Sequence, residues 1–123
     1  MTPTISTQLD VILNDFERNV RHVQATAVVS TDGLVIASRL PSDVEEDRIG
    51  AMGAAILSIS NRSGGELERG EILRVLIEGE EGYILIRSVG EYAILVALVE
   101  KDVRLGLLFF EANKCIELLK EVL

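Results

Sequence analysis

Residues 48–65 constrain the fold more than any other stretch of the sequence, because neither face of the helix they predict suits water. At about 100° per residue, one face of that helix carries large apolar side chains, those of Ile49, Met52, Ile56, Ile59 and Leu67. The opposite face has small residues where a surface helix normally carries Lys and Glu: Ala51, Ala54, Ser58, Asn61 and Gly65, with Gly50 and Leu57 at one edge. We therefore expect the large apolar face to pack on the chain's own domain and the small-residue face to contact a second chain.

The composition limits the classes of protein to which the chain can belong. A chain of 123 residues with 48% hydrophobic residues predicts a single folded domain over residues 1–123. The net charge of −8 argues against nucleic acid or an anionic membrane as a partner, since both require clustered positive charge. The longest apolar run, residues 105–110, is too short to span a membrane. A single cysteine, Cys115, fits a reducing compartment, and we expect a cytoplasmic protein.

The first half of the chain predicts a helix, a hairpin and a second helix. Apolar residues from Ile5 to Val20 repeat at helical spacing, with Thr2 as the expected N-cap and Pro3 as the first helical residue. Residues 25–30 and 34–38 predict two strands separated by Thr31-Asp32-Gly33, in which Asp-Gly is a signal for a tight hairpin turn. The second helix is predicted over residues 43–68, with Ser42 and Glu45 forming a capping box.

The second half predicts three strands and a last helix. The strands cover residues 72–78, 83–88 and 91–99, and their short turns require antiparallel neighbours. The strand 91–99 is apolar on both faces and should be central, whereas Arg74 and Glu78 suit strand 72–78 to a sheet edge or an interface. Asp102 is the expected N-cap of the last helix.

The predicted fold class is α+β, a single domain with the element order α-β-β-α-β-β-β-α. Its five-stranded antiparallel sheet has the first and last helices on one face and the middle helix alone on the other. One helix cannot cover a face of five strands, so some apolar sheet beside it should need a partner. This is a second argument for a dimer, independent of the small residues on the middle helix.

The sequence offers no set of residues for catalysis, for a metal or for a cofactor. His22 is the only histidine and has no Cys or acidic pair at ligand spacing, so we interpret it as a surface residue. Cys115 falls on the apolar side of the last helix and should be a small buried hydrophobe. No phosphate-binding loop is present, and the acidic residues 43–47 are best explained as a solvated helix start.

Four sequence segments, in their order along the chain, resemble the Roadblock family of dynein light chains, in particular small prokaryotic regulators of Ras-like GTPases such as gliding-motility regulators. They are AVVSTDGLVIAS at 27–38, DRIGAMGAAIL at 47–57, GYILI at 82–86 and LGLL at 105–108. The resemblance implies dimers in which the middle helices, here residues 43–68, pack side by side and the third strands, here residues 72–78, join two sheets. It also implies that a Ras-like small GTPase docks on the paired helices. Stimulation of GTP hydrolysis in this family comes from reshaping the GTPase, without catalytic residues of its own.

The leading hypothesis is therefore a non-enzymatic, homodimeric module that binds a Ras-like small GTPase and modulates its GTP hydrolysis or localisation. The predicted dimer or partner interface consists of Gly50, Ala51, Ala54, Leu57, Ser58, Asn61, Arg48, Arg62, Ile72, Arg74 and Leu76. Arg48 and Arg62 would flank the small-residue face and meet acidic residues of the partner.

Three alternatives remain open. The first is a structural scaffold of a multi-protein complex, without effect on GTP turnover. The second is a small-molecule sensor, which would need a pocket with convergent polar groups. In the third, Gly and Ala on the helix only permit tight packing within one monomer.

Overall fold

The helices and strands follow one another in the order that the sequence predicts. The computed structural model describes residues 2–123, so Met1, the first residue of the predicted domain, lies outside the described residues. The elements are α1 (Ile5–Asn19), β1 (Val23–Ser30), β2 (Val35–Arg39), α2 (Glu46–Glu66), β3 (Val75–Glu78), β4 (Gly82–Val89), β5 (Ala93–Glu100) and α3 (Leu105–Val122). The predicted α+β class and element order are confirmed.

All strand neighbours in the five-stranded sheet are antiparallel, in the order β2-β1-β5-β4-β3. The strand predicted to be central, β5, lies in the middle, and its residues from Ala93 to Ala97 are buried. The strand that carries a charge near each of its ends, β3, lies at one edge, as predicted. It is shorter than expected, because it begins at Val75 and leaves residues 72–74 outside the ladder.

The helices divide between the two faces of the sheet as expected. α1 and α3 pack against each other and against one face, over a core that includes Leu13, Leu85, Leu95 and Leu108. α2 lies alone on the other face, over a smaller core that includes Ile86, Ile94 and Val96. The two cores are separated by the sheet, since successive residues of each strand point to opposite faces.

The orientation of α2 about its own axis corrects the sequence interpretation. The residues that face the sheet are Ile49, Gly50, Gly53, Leu57 and Gly64, which are buried. Met52, Ile59 and Leu67, expected on the packed side, are exposed to 49%, 67% and 67%. The helix rotates in this way because two of its glycines allow close approach to the sheet. A Cβ atom on Gly50 would overlap the carbonyl oxygen of Gly33, and one on Gly53 would lie 2.8 Å from Cγ2 of Val96.

The ends of the helices differ from the predictions by two to three residues. The N-cap of α1 is Thr4 instead of Thr2, with its Oγ1 accepting a hydrogen bond from the Thr7 N–H at 3.1 Å. The predicted Ser42–Glu45 capping box is wrong, because residues 41–44 form a turn closed by the Val44 N–H donating to the Pro41 carbonyl at 3.0 Å. α3 is preceded by Arg104 instead of Asp102.

The β1–β2 connection is a tight turn at the predicted residues, 31–33. The Ser30 N–H donates to the Leu34 carbonyl at 2.8 Å and closes this three-residue loop, next to the paired residues Val29 and Val35. Gly33 has φ = +93°, which a residue with a Cβ adopts only with strain. The Asp-Gly signal therefore marks the position of the turn.

We predict opposite effects of adding a methyl group at two glycines of α2. Gly50→Ala should destabilise the protein by about 1–3 kcal/mol, because the new Cβ overlaps backbone that can move only with the loop. The matched control is Gly65→Ala, where no heavy atom lies within 4 Å and alanine improves helix propensity, by up to about 1 kcal/mol. Urea unfolding measures both. Equal stability of the two variants would contradict the close contact at Gly50.

Candidate protein interface

The side of α2 turned away from the sheet carries apolar and small side chains with few charges. This α2 outer face consists of the exposed residues Arg48, Ala51, Met52, Ala55, Ser58, Ile59 and Arg62. Met52 and Ile59 are the large apolar members, one at 49% and the other at 67% exposure. Exposing them costs hydration free energy that contact with another chain would recover.

Beside α2, part of the sheet face remains uncovered. This open sheet patch consists of Val75 and Ile77 of β3, Ile84 of β4 and Leu98 of β5. Ile77 lies opposite Ile84, and Ile84 lies opposite Leu98, so the three side chains form a row across three strands. Ile77 is 36% exposed and the others are half-buried. The expectation that one helix leaves apolar sheet uncovered is confirmed.

The opposite flank of α2 borders a shallow groove. Ala54, Ser58 and Asn61 line it from the helix, Thr31 lines it from the β1–β2 loop and Ile94 lines it from the sheet. The groove has no titratable side chain on its walls. The groove therefore provides a shallow concave surface with two polar side chains of α2, but no side chain that acts as an acid or a base.

The predicted interface residues of α2 fall into different environments. Ala51, Ser58 and Asn61 are exposed and available to a partner, and Ala54 is half-buried against the core beneath α2. Gly50 and Leu57 are corrections, because both are buried against the chain's own sheet and loop. The sequence places both in the interface by helical spacing at the edge of the small-residue face, and spacing does not distinguish a residue under the helix from one on its flank.

Arg48 and Arg62 flank the α2 outer face as predicted, but each already has a carboxylate on its own helix or cap. Arg48 lies 3.6 Å from Glu45, and Arg62 lies 3.0 Å from Glu66. The side chains of both arginines are at least 70% exposed. Exposed pairs at this spacing contribute about 0.3–0.5 kcal/mol, so a partner's carboxylate could replace either one.

The three predicted residues near β3 lie on different sides of the sheet edge. Ile72 is half-buried beside Gly64 of α2. Leu76 packs against the core under α1 and α3, and the Arg74 guanidinium stacks on the Phe109 ring with its carbon 4.1 Å from the ring centroid. Arg74 and Leu76 therefore lie on the face of the sheet opposite to α2.

Opposite Arg74 on the neighbouring strand lies a second arginine, Arg87. Its Nη1 donates to Oδ1 of Asn113 at 2.6 Å, while its Nε is buried without a hydrogen-bond partner among the described residues. Burial, and then repulsion from Arg74, lower the pKa of Arg87. Among residues 2–123, neither guanidinium lies within 4.0 Å of a carboxylate.

The residues considered for chemistry do not assemble into a reactive site. His22 is half-buried at the start of β1, and only its carbonyl is used, accepting from the Glu100 N–H at 2.8 Å. Cys115 is buried, as predicted, and desolvation raises the pKa of its thiol to about 12. Across the described chain, no group of three or more His, Cys, Asp or Glu is placed to hold a metal ion. Within residues 2–123, none of the helices is long and apolar enough to cross a bilayer.

Sequence reasoning expected uncovered sheet but did not name the residues of the open sheet patch, and it misplaced Met52 and Ile59. Strand alternation contained the signal for the patch, because Arg74 and Glu78 on one face require Val75 and Ile77 on the other. For α2, the signal was the spacing of Gly50, Gly53 and Leu57 at i, i+3 and i+7, which defines a helix face that can approach another backbone.

Comparison with known proteins agrees with this architecture. The profile of the Roadblock/LC7 domain matches residues 10–99. An uncharacterised protein of Methanocaldococcus jannaschii is 38% identical over 98 residues, which are 80% of this chain and 85% of the relative.

Two solved structures have the same fold. MglB of Myxococcus xanthus superposes with a TM-score of 0.88 at 15% identity, covering 94% of both chains. A structure described as MglB with tetrameric arrangement superposes with a TM-score of 0.89 at 16% identity, covering 99% of this chain and 92% of that one. Roadblock/LC7 domains are in general regulatory or adaptor domains. The family profile and the relative together show that this chain belongs to the Roadblock/LC7 domain family.

Proposed function

We propose that the protein is a dimeric, non-enzymatic regulatory module that binds a Ras-like small GTPase and modulates its GTP hydrolysis or localisation. The observation that carries this proposal is the combination of the α2 outer face with the open sheet patch. Both are apolar surfaces that the chain's own residues leave uncovered, and they lie on the same side of the sheet. The resemblance to prokaryotic GTPase regulators supplies the class of partner.

The dimer is supported by the position of these surfaces next to an edge strand. Val75 and Ile77 belong to β3, which has β4 on one side and, within the described residues 2–123, no strand on the other. A second copy that pairs with this edge would extend the sheet and bring its own α2 toward the first. Edge strands with apolar side chains invite such pairing.

The GTPase would dock on the exposed sides of the paired α2 helices. Small side chains such as Ala51, Ala55 and Ser58 let a partner's backbone approach closely, and few charges must lose their water on contact. Because the site brings no acid, base or nucleophile, any stimulation of hydrolysis would come from positioning the GTPase's own residues. This mode of action requires no cofactor. The proposed place of action is the cytoplasm.

A scaffold without effect on GTP turnover is the second candidate. It is favoured by the arginines of the α2 outer face, since Arg48 and Arg62 each pair with a glutamate of their own segment instead of pointing free toward a partner. An arginine supplied in trans would have to leave such a pair to reach a γ-phosphate.

We predict that Ile59→Arg weakens self-association while leaving the fold intact. Ile59 is 67% exposed, and a charge in a desolvated contact should cost about 2 kcal/mol, or roughly thirtyfold in Kd. Light scattering over a concentration series measures the dimer, and circular dichroism checks the fold. Ile5→Arg is the matched control, since Ile5 is 57% exposed on α1, on the opposite side of the sheet. Equal association of the two variants would refute the proposed surface.

A second experiment separates a GTPase regulator from a scaffold. The immobilised protein is exposed to cell extract that contains either a non-hydrolysable GTP analogue or GDP, and bound proteins are identified by mass spectrometry. We expect a small GTPase retained in one nucleotide state, whose turnover changes when the purified protein is added. Retention in both states without a change in turnover would favour the scaffold.

A further inference from the structure

The free edge of β3 carries opposite charges at its two ends, on the same face of the sheet. Arg74 immediately precedes the strand and Glu78 ends it, with Leu76 midway between them. Val75 and Ile77 point to the other face, where α2 lies. When such a strand is turned by 180° in the plane of the sheet, its arginine takes the position of its glutamate. The edge is therefore complementary in charge to a second copy of itself.

Within residues 2–123, no carboxylate lies within 4.0 Å of the Arg74 guanidinium. This guanidinium is exposed, stacks on Phe109 and lies opposite the half-buried Arg87 on β4. Its charge lies close enough to Arg87 to disfavour the protonated form of that neighbour. A carboxylate beside Arg74 would relieve this repulsion, and β4 brings none to it among residues 82–89.

We infer that a second copy of this chain pairs with β3 in the one register that sets Leu76 opposite the partner's Leu76 and Arg74 opposite the partner's Glu78. This inference rests on the proposed dimer and names the geometry of its contact. Each dimer would contain two such arginine–glutamate pairs, related by the twofold axis.

The alternatives are limited by symmetry. A twofold axis normal to the sheet must place residues of the same face opposite each other, and the two short strands overlap over most of their length only when the axis passes at Val75, Leu76 or Ile77. With the axis at Val75, Arg74 would face the partner's Leu76. With the axis at Ile77, Leu76 would face the partner's Glu78. Only the axis at Leu76 matches charge with opposite charge and apolar with apolar side chains.

The same register also joins the uncovered apolar surfaces. It sets Val75 opposite the partner's Ile77 on the face that carries α2, so the two open sheet patches become continuous. Packing these side chains against each other removes from water the apolar surface that a single chain leaves exposed.

Glu78 can accept the second partner without losing its present one. Its Oε2 accepts from Nζ of Lys101 at 2.6 Å, and this bond lowers the pKa of Glu78. A carboxylate has a second oxygen with its own acceptor sites, so Oε1 can accept from the partner's Arg74. Each end of the paired strands would then hold one carboxylate between two cations.

Three single-cysteine substitutions in the full-length chain test the register. Residues at the axis lie about 5 Å apart, within disulfide range, whereas residues one position away lie about 8 Å from their own copies. We expect Leu76→Cys to form a covalent dimer on mild oxidation, and Val75→Cys and Ile77→Cys alone to form none. A mixture of the latter two should cross-link, because these positions face each other. The unsubstituted chain is the control, since its Cys115 is buried.

The outcomes separate this inference from the proposed function. Self-cross-linking of Val75→Cys or Ile77→Cys would overturn the register while leaving a β3 dimer in place. A dimer by light scattering with no cross-link in any variant would place the contact elsewhere and also overturn it. A monomer at every concentration would remove the proposed dimer as well. Circular dichroism establishes that each variant is folded.

Charge reversal tests the ion pairs independently. Arg74→Glu and Glu78→Arg each place like charges opposite each other twice per dimer, and each should raise the dimer Kd by about tenfold. Mixing the two variants should restore near-normal affinity, as a heterodimer with both pairs reversed. Affinity tags of different mass identify the mixed species. Failure of the mixture to recover would show that these residues do not meet.

Discussion

The contact between the glycines of α2 and the sheet decides most of what the rest of the molecule can do. At Gly50 the helix backbone meets the carbonyl of Gly33, and at Gly53 it meets a methyl group of Val96. Close packing of this kind leaves little freedom in how the helix can rotate about its axis. Because packing against the sheet fixes that rotation, Met52 and Ile59 must face outward even though both are hydrophobic. An apolar outer face is thus a consequence of how the inner face packs.

The two edges of the sheet are unequal in a way that suits one of them to assembly. In β2, the Arg39 side chain donates a hydrogen bond to Glu17 of α1, and the Ser38 hydroxyl donates one to Glu46 of α2. Helices on both faces of the sheet therefore hold this edge strand in place. At the other edge, β3 is only four residues long and has a neighbour on one side. Short edge strands limit uncontrolled pairing, and charged residues at their ends limit it further. The β3 edge is therefore suited to pairing with a specific partner strand, and it disfavours nonspecific strand pairing.

The features that could be predicted from the sequence are those that depend on long patterns. The order of elements, the central place of β5 and the edge position of β3 follow from apolar patterns extending over five or more residues. The predictions of the helix ends were wrong because several residues that can cap a helix stand close together in the sequence. In addition, residues 41–44 form a turn whose backbone hydrogen bond replaces the predicted helix start. Such competition depends on a few hydrogen bonds whose geometry the pattern does not contain.

The candidate interface was predictable in part, for a related reason. The small side chains of Ala51 and Ser58 indicated an unusual helix surface, and both are exposed. Gly50 and Leu57 were placed with them because size and angle alone cannot tell which side of a two-faced helix meets the sheet. The contacts of Gly50 with Gly33 and Val35, residues 15 or more positions earlier in the chain, resolve that ambiguity. Such distant contacts appear only once the hairpin and the helix are folded together.

The glycines under α2 also set the height of the helix above the sheet. The spacing between packed elements depends on the side chains at the contact, so a helix that rests on glycine sits lower than one that rests on leucine. The step from the top of α2 down to the neighbouring strands is correspondingly shallow. A partner with a nearly flat surface can then contact helix and sheet at once. A helix that stood higher above the sheet would require a recess in the partner's surface. The smallest residues in the chain thereby determine the surface shape that a partner would have to match.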